Sequence, residues 1–258
     1  MTAATLLLTI FQLTNLGAQQ CPEPEPLGVR LEKAIHRSSL GSTQGLVFHS
    51  GSLYESSGGY GQSSFNRINP GNGEVKQLAR LDRTIFAEGL DIWKGKFLLL
   101  TWKEKKALLW NLDSTTTPRM VPYFWEGWGL THDHRSWIVS DGTAQIRFLD
   151  PATLKETRSI TVQRRADAQE SLNELEYVNG RIFANIFKTD QIVRINPATG
   201  CVDGSLDLSS LKEQFTLDEL SADSNAVANG IAYDPVENVF YLTGKNWPLI
   251  FKVEVIGN

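Results

Sequence analysis

Five side chains occupy equivalent positions along the chain, each two residues before an apolar residue that begins a predicted β-strand. Three of them are amides and one is an indole, while Glu88 is the single carboxylic acid. A carboxyl group in a poorly solvated, aromatic setting has a raised pKa and can accept and donate a proton near neutral pH. The pattern therefore predicts acid–base chemistry centred on Glu88. The five positions are Gln44, Glu88, Trp128, Asn173 and Asn229.

A weak internal repeat predicts that these side chains meet. The apolar residues that follow them recur at intervals of 44, 40, 45 and 56 residues, with short β-branched or aromatic runs between them. A period of about 40 to 45 residues with about four strands per unit is typical of a β-propeller. The sequence thus predicts an all-β, five-bladed β-propeller domain over residues 37–258, with the first strand of each blade along one central channel. The aligned residues are Leu46, Leu90, Leu130, Leu175 and Ile231.

The ends of the second predicted strands supply a further set of side chains at the same mouth of the channel. Together with Phe86, the aromatic members would wall a small substrate cavity. We expect Asn229 and Asp141 to lie behind this wall. The residues at the strand ends are Trp102, Asp141, Phe187 and Lys245.

The N-terminal residues predict export. Residues 1–18 contain a short apolar run followed by small residues, as in a signal peptide, and this run is too short to span a membrane. Residues 19–36 begin with alternating prolines and are expected to form an extended leader. A secreted or periplasmic location makes Cys21 and Cys201 a candidate disulfide, and two unrelated thiols are the alternative.

Composition and motifs limit the partners. With 25 Lys and Arg against 29 Asp and Glu, the formal net charge is −4, and no basic stripe for nucleic acid is present. The sequence has no Cys/His cluster at zinc spacing and no nucleophile-elbow or phosphate-loop motif. We therefore expect no cofactor, no bound metal at the site, and a monomer. His132-Asp133-His134 falls at a predicted hairpin turn and is interpreted as an exposed loop, and Ser209 to Asp223 as a short helix or loop.

Seven short motifs in order along the body resemble those of glutaminyl-peptide cyclotransferases of the plant and bacterial type. The resemblance covers Thr43 to Val255. The motifs are Thr43-Gln44-Gly45-Leu46, Phe86-Ala87-Glu88-Gly89-Leu90, Leu100-Thr101-Trp102, Glu126-Gly127-Trp128-Gly129-Leu130, Leu172-Asn173-Glu174-Leu175-Glu176, Asn229-Gly230-Ile231-Ala232 and Thr243-Gly244-Lys245.

The resemblance implies a five-bladed propeller that cyclises the N-terminal glutamine of peptides or proteins to pyroglutamate and releases ammonia. It implies that Glu88 is the catalytic acid and base. Two positions depart from the family pattern, because Ser42 stands where the family usually has Phe, and Phe187 where it usually has Trp. The implied substrate pocket comprises Gln44, Phe86, Trp102, Trp128, Asn173 and Lys245.

Two other functions are compatible with a propeller. A metal-dependent hydrolase of the calcium lactonase type would use oxygen ligands converging on the axis, where Glu88 is the only acid of the five aligned positions. A non-catalytic binding propeller would display ligands from its loops and would have no need of a glutamate in an aromatic mouth.

Overall fold

The computed structural model describes residues 20–111, 118–213 and 226–257. The predicted signal peptide lies outside these residues, as does most of the predicted helix after Ser209. Within the described ranges the chain is built from β-strands, with one short helix, α1, at Ser209–Lys212. No helix of the described residues is long and apolar enough to cross a membrane.

The first strand, β1 (Glu25–His36), is followed by three antiparallel four-stranded sheets, each made from consecutive strands. The first sheet contains β2 (Thr43–His49), β3 (Ser52–Ser57), β4 (Ser64–Ile68) and β5 (Val75–Arg80). The second contains β6 (Ala87–Trp93), β7 (Lys96–Thr101), β8 (Lys106–Asn111) and β9 (Arg119–Pro122). The third contains β10 (Leu130–His132), β11 (Trp137–Ser140), β12 (Gln145–Leu149) and β13 (Glu156–Thr161).

The remaining strands form a short hairpin and an eight-stranded sheet. The hairpin consists of β14 (Gln163–Arg164) and β15 (Asp167–Ala168). One half of the large sheet contains β16 (Leu172–Val178), β17 (Arg181–Ile186), β18 (Gln191–Ile195) and β19 (Val202–Asp207). The other half contains β20 (Ala228–Asp234), β21 (Val239–Gly244) and β22 (Leu249–Ile256), and β1 joins the halves by pairing antiparallel with β22 and parallel with β19.

The first strands of the consecutive sheets pack side by side in a ring. Strand β2 contacts β6, β6 contacts β10, β10 contacts β16, β16 contacts β20, and β20 contacts β2. Glycines permit this close approach: a Cβ on Gly45 would lie 2.3 Å from the Leu90 nitrogen, and one on Gly129 would lie 2.0 Å from the Asn173 carbonyl oxygen. Neighbouring strands can therefore meet backbone to backbone around the axis, in a propeller-like arrangement.

Hydrophobic clusters between neighbouring sheets hold the ring together. Strands that carry apolar side chains on both faces fill these spaces. In β7, for example, Leu98, Leu99 and Leu100 are all fully buried. Leu99 belongs to the cluster shared with the first sheet, whereas Leu98 and Leu100 belong to the cluster shared with the third. Each sheet is thus sandwiched, which fixes the positions of the strand ends that form the site.

The N-terminal segment is part of the sheet rather than a separate leader. Residues 25–36 are extended, as expected, but they form β1, so the folded body begins before residue 37. The preceding residues are attached by a disulfide between Cys21 and Cys201, which lies directly before β19. Both ends of the described chain therefore pair within one sheet, with Gly28 opposite Ile256.

Candidate active site

One cavity, of about 230 Å³, gathers eight of the side chains singled out from the sequence. Five of them lie at the start of a first strand or within two residues before it, and the other three directly follow second strands. Because first and second strands are antiparallel, both sets lie at the same end of the ring. The lining residues are Gln44, Phe86, Glu88, Trp102, Trp128, Asn173, Phe187 and Lys245.

Irregularities in strand register place the polar side chains of this group. The pairing of β2 with β3 shifts register between Thr43 and Gly45, which brackets Gln44. Equivalent shifts bracket Glu88 in β6 and Asn173 in β16. A β-bulge re-aims a side chain that regular pleating would direct elsewhere, and bulges are common beside active sites. The repeated bulge therefore explains how equivalent positions converge on one cavity.

The electrostatics of the cavity centre on Glu88, which is only 7% exposed. Burial raises the pKa of Glu88 well above its ordinary value, and the charge of Lys245 partly opposes this rise. The carboxylates of Glu104 and Glu126 raise the Glu88 pKa further. Burial also lowers the pKa of Lys245, against the influence of Glu88. These two groups are therefore tuned to exchange protons closer to neutrality than an exposed Glu and Lys would.

Glu126 organises the aromatic wall, a role that the sequence analysis did not assign. Its Oε2 accepts hydrogen bonds from the indole nitrogens of Trp102 at 3.1 Å and Trp128 at 3.3 Å. Phe86 packs on Trp102 with ring centroids 5.4 Å apart, and Phe187 meets Trp128 edge-on at the same distance. The need of two partly buried indole N–H groups for an acceptor is the signal that could have identified Glu126.

Two replacements of Glu126 should distinguish its role as the hydrogen-bond acceptor for the indoles from the effect of its charge on the Glu88 pKa. Glu126→Leu removes the shared acceptor and should raise KM about ten-fold, whereas Glu126→Gln keeps an acceptor oxygen and should leave KM within about two-fold. Both variants remove a negative charge that raises the Glu88 pKa, so Glu88 should lose its proton at lower pH in both. Steady-state kinetics across pH measure both effects. A KM increase in Glu126→Gln equal to that in Glu126→Leu would contradict the role of the acceptor.

The amide side chains contribute hydrogen-bonding groups that the described protein leaves partly open. Gln44 is buried and its Nε2 donates weakly to Ser42 Oγ at 3.4 Å, while its Oε1 has no partner among the described residues. Asn173 is also buried and lines the cavity. A buried acceptor without a partner is costly unless a ligand or water supplies a donor. The cavity is thus prepared for a ligand with N–H groups.

The two residues expected behind the wall lie outside the cavity lining. Asn229 is fully buried in β20, and its Nδ2 donates to the Thr43 carbonyl oxygen at 2.9 Å, next to Gln44. Asp141 follows β11 and accepts a hydrogen bond from Arg147 Nη1 at 2.6 Å. Its neighbour Gly142 lies against the Trp128 indole, where an added Cβ would come within 2.7 Å.

A second acid–aromatic contact lies beside Phe86 and was also missed from sequence. The Tyr60 hydroxyl donates to Glu104 Oε1 at 2.8 Å, and the Tyr60 ring packs edge-on against Phe86. Glu104 Oε2 is buried without a partner among the described residues. Because Tyr60 and Glu104 come from loops outside the repeat alignment, no sequence spacing indicated their contact.

Further buried acids lie along the ring, away from the cavity. Glu174 occupies the position held by glycine in the other aligned motifs, and it accepts hydrogen bonds from the backbone nitrogens of Leu46 and Ile231 across the axis. The interpretation of His132 as an exposed loop residue was wrong. His132 ends β10, and its Nδ1 lies 2.6 Å from Asp91 Oδ2 because the two first strands are adjacent. Among the described residues no group of three or more His, Cys, Asp or Glu has the geometry to hold a metal ion.

The structure is a propeller-like ring of β-sheets with a candidate acid–base site, because its small aromatic cavity holds one buried carboxylic acid. Comparison with known proteins gives the family. A family model described as glutamine cyclotransferase matches residues 4–255. The chain is 32% identical over 215 residues to glutaminyl-peptide cyclotransferase of Arabidopsis thaliana, covering 83% of this chain and 67% of the relative. The chain therefore belongs to the glutamine cyclotransferase family, as the sequence motifs predicted.

Solved structures agree with this assignment. The crystal structure of Myxococcus xanthus glutaminyl cyclase superposes with a TM-score of 0.82 at 31% identity, covering 92% of this chain and all of that one. A pyrroloquinoline quinone-bound aldose sugar dehydrogenase from Streptomyces coelicolor gives a TM-score of 0.55 at 10% identity, covering 91% of this chain, which indicates a shared fold alone. The predictions of an all-β fold and of an enzyme of the glutaminyl cyclase family are confirmed.

Proposed function

We propose that this protein converts the N-terminal glutamine of peptides or proteins into pyroglutamate and releases ammonia. The observation that carries the proposal is the buried carboxylic acid Glu88, the one acid among the residues that line a cavity of about 230 Å³ between aromatic walls. Membership of the glutamine cyclotransferase family supports the same reaction.

The reaction requires a correctly positioned substrate and the transfer of one proton from the attacking nitrogen to the departing nitrogen. The neutral α-amine attacks the γ-carbonyl carbon of its own side chain, a C–N bond forms, and the bond to the amide nitrogen breaks. Glu88 accepts the proton from the attacking nitrogen and returns it to the departing nitrogen, so one ammonia leaves for each ring formed. Because the attack is intramolecular, holding the folded-over conformer supplies much of the rate enhancement.

The remaining residues hold this conformer and its charge. Gln44 and Asn173 hydrogen-bond the γ-amide and stabilise the oxyanion that develops on it. The aromatic walls exclude water and favour the uncharged amine. Lys245, whose charge lowers the Glu88 pKa, tunes that acid. Asn229 and Asp141 support the wall from behind.

The ring formed by the five first strands favours a five-bladed propeller. The five first strands close a ring through their mutual contacts, and the large sheet divides into two groups of four strands where β1 meets β19. On this interpretation β1 completes the last blade, which makes the N-terminal strand essential to closure of a five-bladed propeller.

The proposal includes export and a monomeric, metal-independent enzyme. Residues 1–18 act as a signal peptide, and a disulfide between Cys21 and Cys201 suits an oxidising compartment, secreted or periplasmic. Family membership favours a cyclase over the two alternative functions, the calcium lactonase-like hydrolase and the non-catalytic binding propeller.

A chelator experiment tests the metal-independent cyclase against the alternative functions. The purified protein is dialysed against excess EDTA and mixed with a dipeptide amide that begins with glutamine, and ammonia release is followed. Full activity in EDTA supports a metal-independent cyclase. Ammonia release that returns only on adding calcium would show a metal-dependent reaction, and no ammonia release in either condition would favour the two alternative functions.

A further inference from the structure

A second cavity, which we call the serine cavity, lies next to the substrate cavity. Its volume is about 310 Å³, and its polar lining consists of hydroxyl and amide groups, without a charged side chain. The lining residues are Ser39, Leu40, Gly41, Ser42, Ser57, Gly58, Gln62, Ser64, Asn66, Val75, Gln77 and Asn246.

The two cavities are separated by Gly58 together with the side chains of Phe86 and Gln44. Gly58 lines the serine cavity, yet a Cβ added to it would lie 2.4 Å from Phe86 and 2.7 Å from Gln44, which both line the substrate cavity. Ser42 lines the serine cavity as well, and it pairs with Lys245 through an isolated β-bridge. The space beside Gly58 is therefore filled by Phe86 and Gln44, and the boundary is lowest at Ser42, whose side chain is small and whose Oγ lies 3.4 Å from Gln44 Nε2.

The serine cavity offers hydrogen bonds that the described chain does not use. Ser57 and Ser64 are each 7% exposed, and their hydroxyl groups make no hydrogen bond to other described residues. Beneath them, the buried charge of Glu55 is matched by Arg37 at 2.7 Å. The cavity therefore presents neutral donors and acceptors over a neutralised ion pair.

The position of the reacting glutamine determines which part of a substrate can reach the serine cavity. With the glutamine residue in the small substrate cavity, the chain that follows it can reach the serine cavity past Ser42, whose small side chain lies between Gln44 and that cavity. We propose that the serine cavity binds the residue that follows the N-terminal glutamine and selects uncharged, hydrogen-bonding side chains such as Ser, Thr, Asn or Gln. This inference rests on the proposed cyclase function.

The selectivity follows from the lining. A serine or asparagine side chain can replace its lost water contacts with the open hydroxyl groups of Ser57 and Ser64. An aspartate or lysine side chain would be desolvated without an opposite charge, because Arg37 and Glu55 already neutralise each other. An aliphatic side chain would leave the two hydroxyl groups without partners.

The test compares four substrates: L-glutaminamide, which has no second residue, and the dipeptide amides Gln-Ser, Gln-Leu and Gln-Asp. In the wild type, kcat/KM for Gln-Ser should exceed that for Gln-Leu and Gln-Asp about ten-fold. The Ser57→Ala/Ser64→Ala variant should lose this preference while retaining wild-type turnover of L-glutaminamide. Ser159→Ala, an exposed serine of β13, is the matched control and should keep the preference.

A second variant covers the case in which the double variant does not fold. Ser42→Phe places a large ring at the boundary and should reduce kcat/KM for Gln-Ser at least ten-fold more than for L-glutaminamide. Equal kcat/KM for all dipeptides, or a preference that persists in both variants, overturns the serine cavity as a subsite while leaving the cyclase function intact. No ammonia from L-glutaminamide or any dipeptide overturns the proposed function itself, and this inference with it.

Discussion

Replacement of Glu88 by glutamine should lower ammonia release from an N-terminal glutamine by about 100- to 10,000-fold, the range lost with a general acid–base group. The amide has nearly the same shape, so it fills the same space between Gln44 and the aromatic walls, but it cannot carry the transferred proton. The expected loss is in kcat, because the proposed substrate contacts of Gln44, Asn173 and the indoles remain.

Two controls separate lost chemistry from lost structure. Glu170→Gln makes the same change on an exposed loop and should leave activity unchanged. Glu88→Gln should be at least as stable as the wild type near neutral pH. Burial raises the Glu88 pKa, so its contribution to stability is present at low pH and is lost as pH rises through the folded-state pKa. A Glu88→Gln enzyme with more than half of the wild-type turnover would remove Glu88 from the mechanism.

Removal of the disulfide should have the largest effect on stability. The bond closes a loop between Cys21 and Cys201, 180 residues apart, and holds the segment that leads into β1. Cys21→Ser/Cys201→Ser should lose about 2–4 kcal/mol of unfolding free energy. For a chain of this size, that corresponds to a fall in Tm of roughly 4–16 °C.

Thermal unfolding by circular dichroism measures this effect, with and without reductant. Wild type in reductant should approach the Tm of the double serine variant, and the variant itself should not respond to reductant. The candidate active site lies at the opposite ends of the strands from the disulfide. Turnover well below Tm should therefore stay close to that of the wild type. An unchanged Tm in the variant would show that β1 is held by its strand pairing alone.

Repeat spacing was sufficient to predict the cavity because a propeller places equivalent positions at one end of its ring. Aligning Leu46, Leu90 and Leu175 brought Gln44, Glu88 and Asn173 together without knowledge of any contact. The alignment works because these three first strands enter the ring in the same direction and carry the same bulge.

Contacts between different sheets could not be read from the repeat. Glu126 matters because it reaches indoles from two sheets, and Tyr60 because its loop meets Glu104 in the next one. The His132–Asp91 pair joins neighbouring first strands in the same way. Strand β1 is the clearest case, since its partner lies more than 200 residues away and no local pattern distinguishes a closing strand from an extended leader.

The identity of the product tests the central claim most directly. A peptide amide beginning with glutamine is incubated with the wild-type protein, and mass spectrometry and ammonia analysis are carried out on the same sample. Cyclisation predicts the pyroglutamyl peptide and one ammonia for each peptide consumed. A product with N-terminal glutamate would mean that water, and not the α-amine, attacks the γ-carbonyl, and would contradict the account, as would an unchanged peptide.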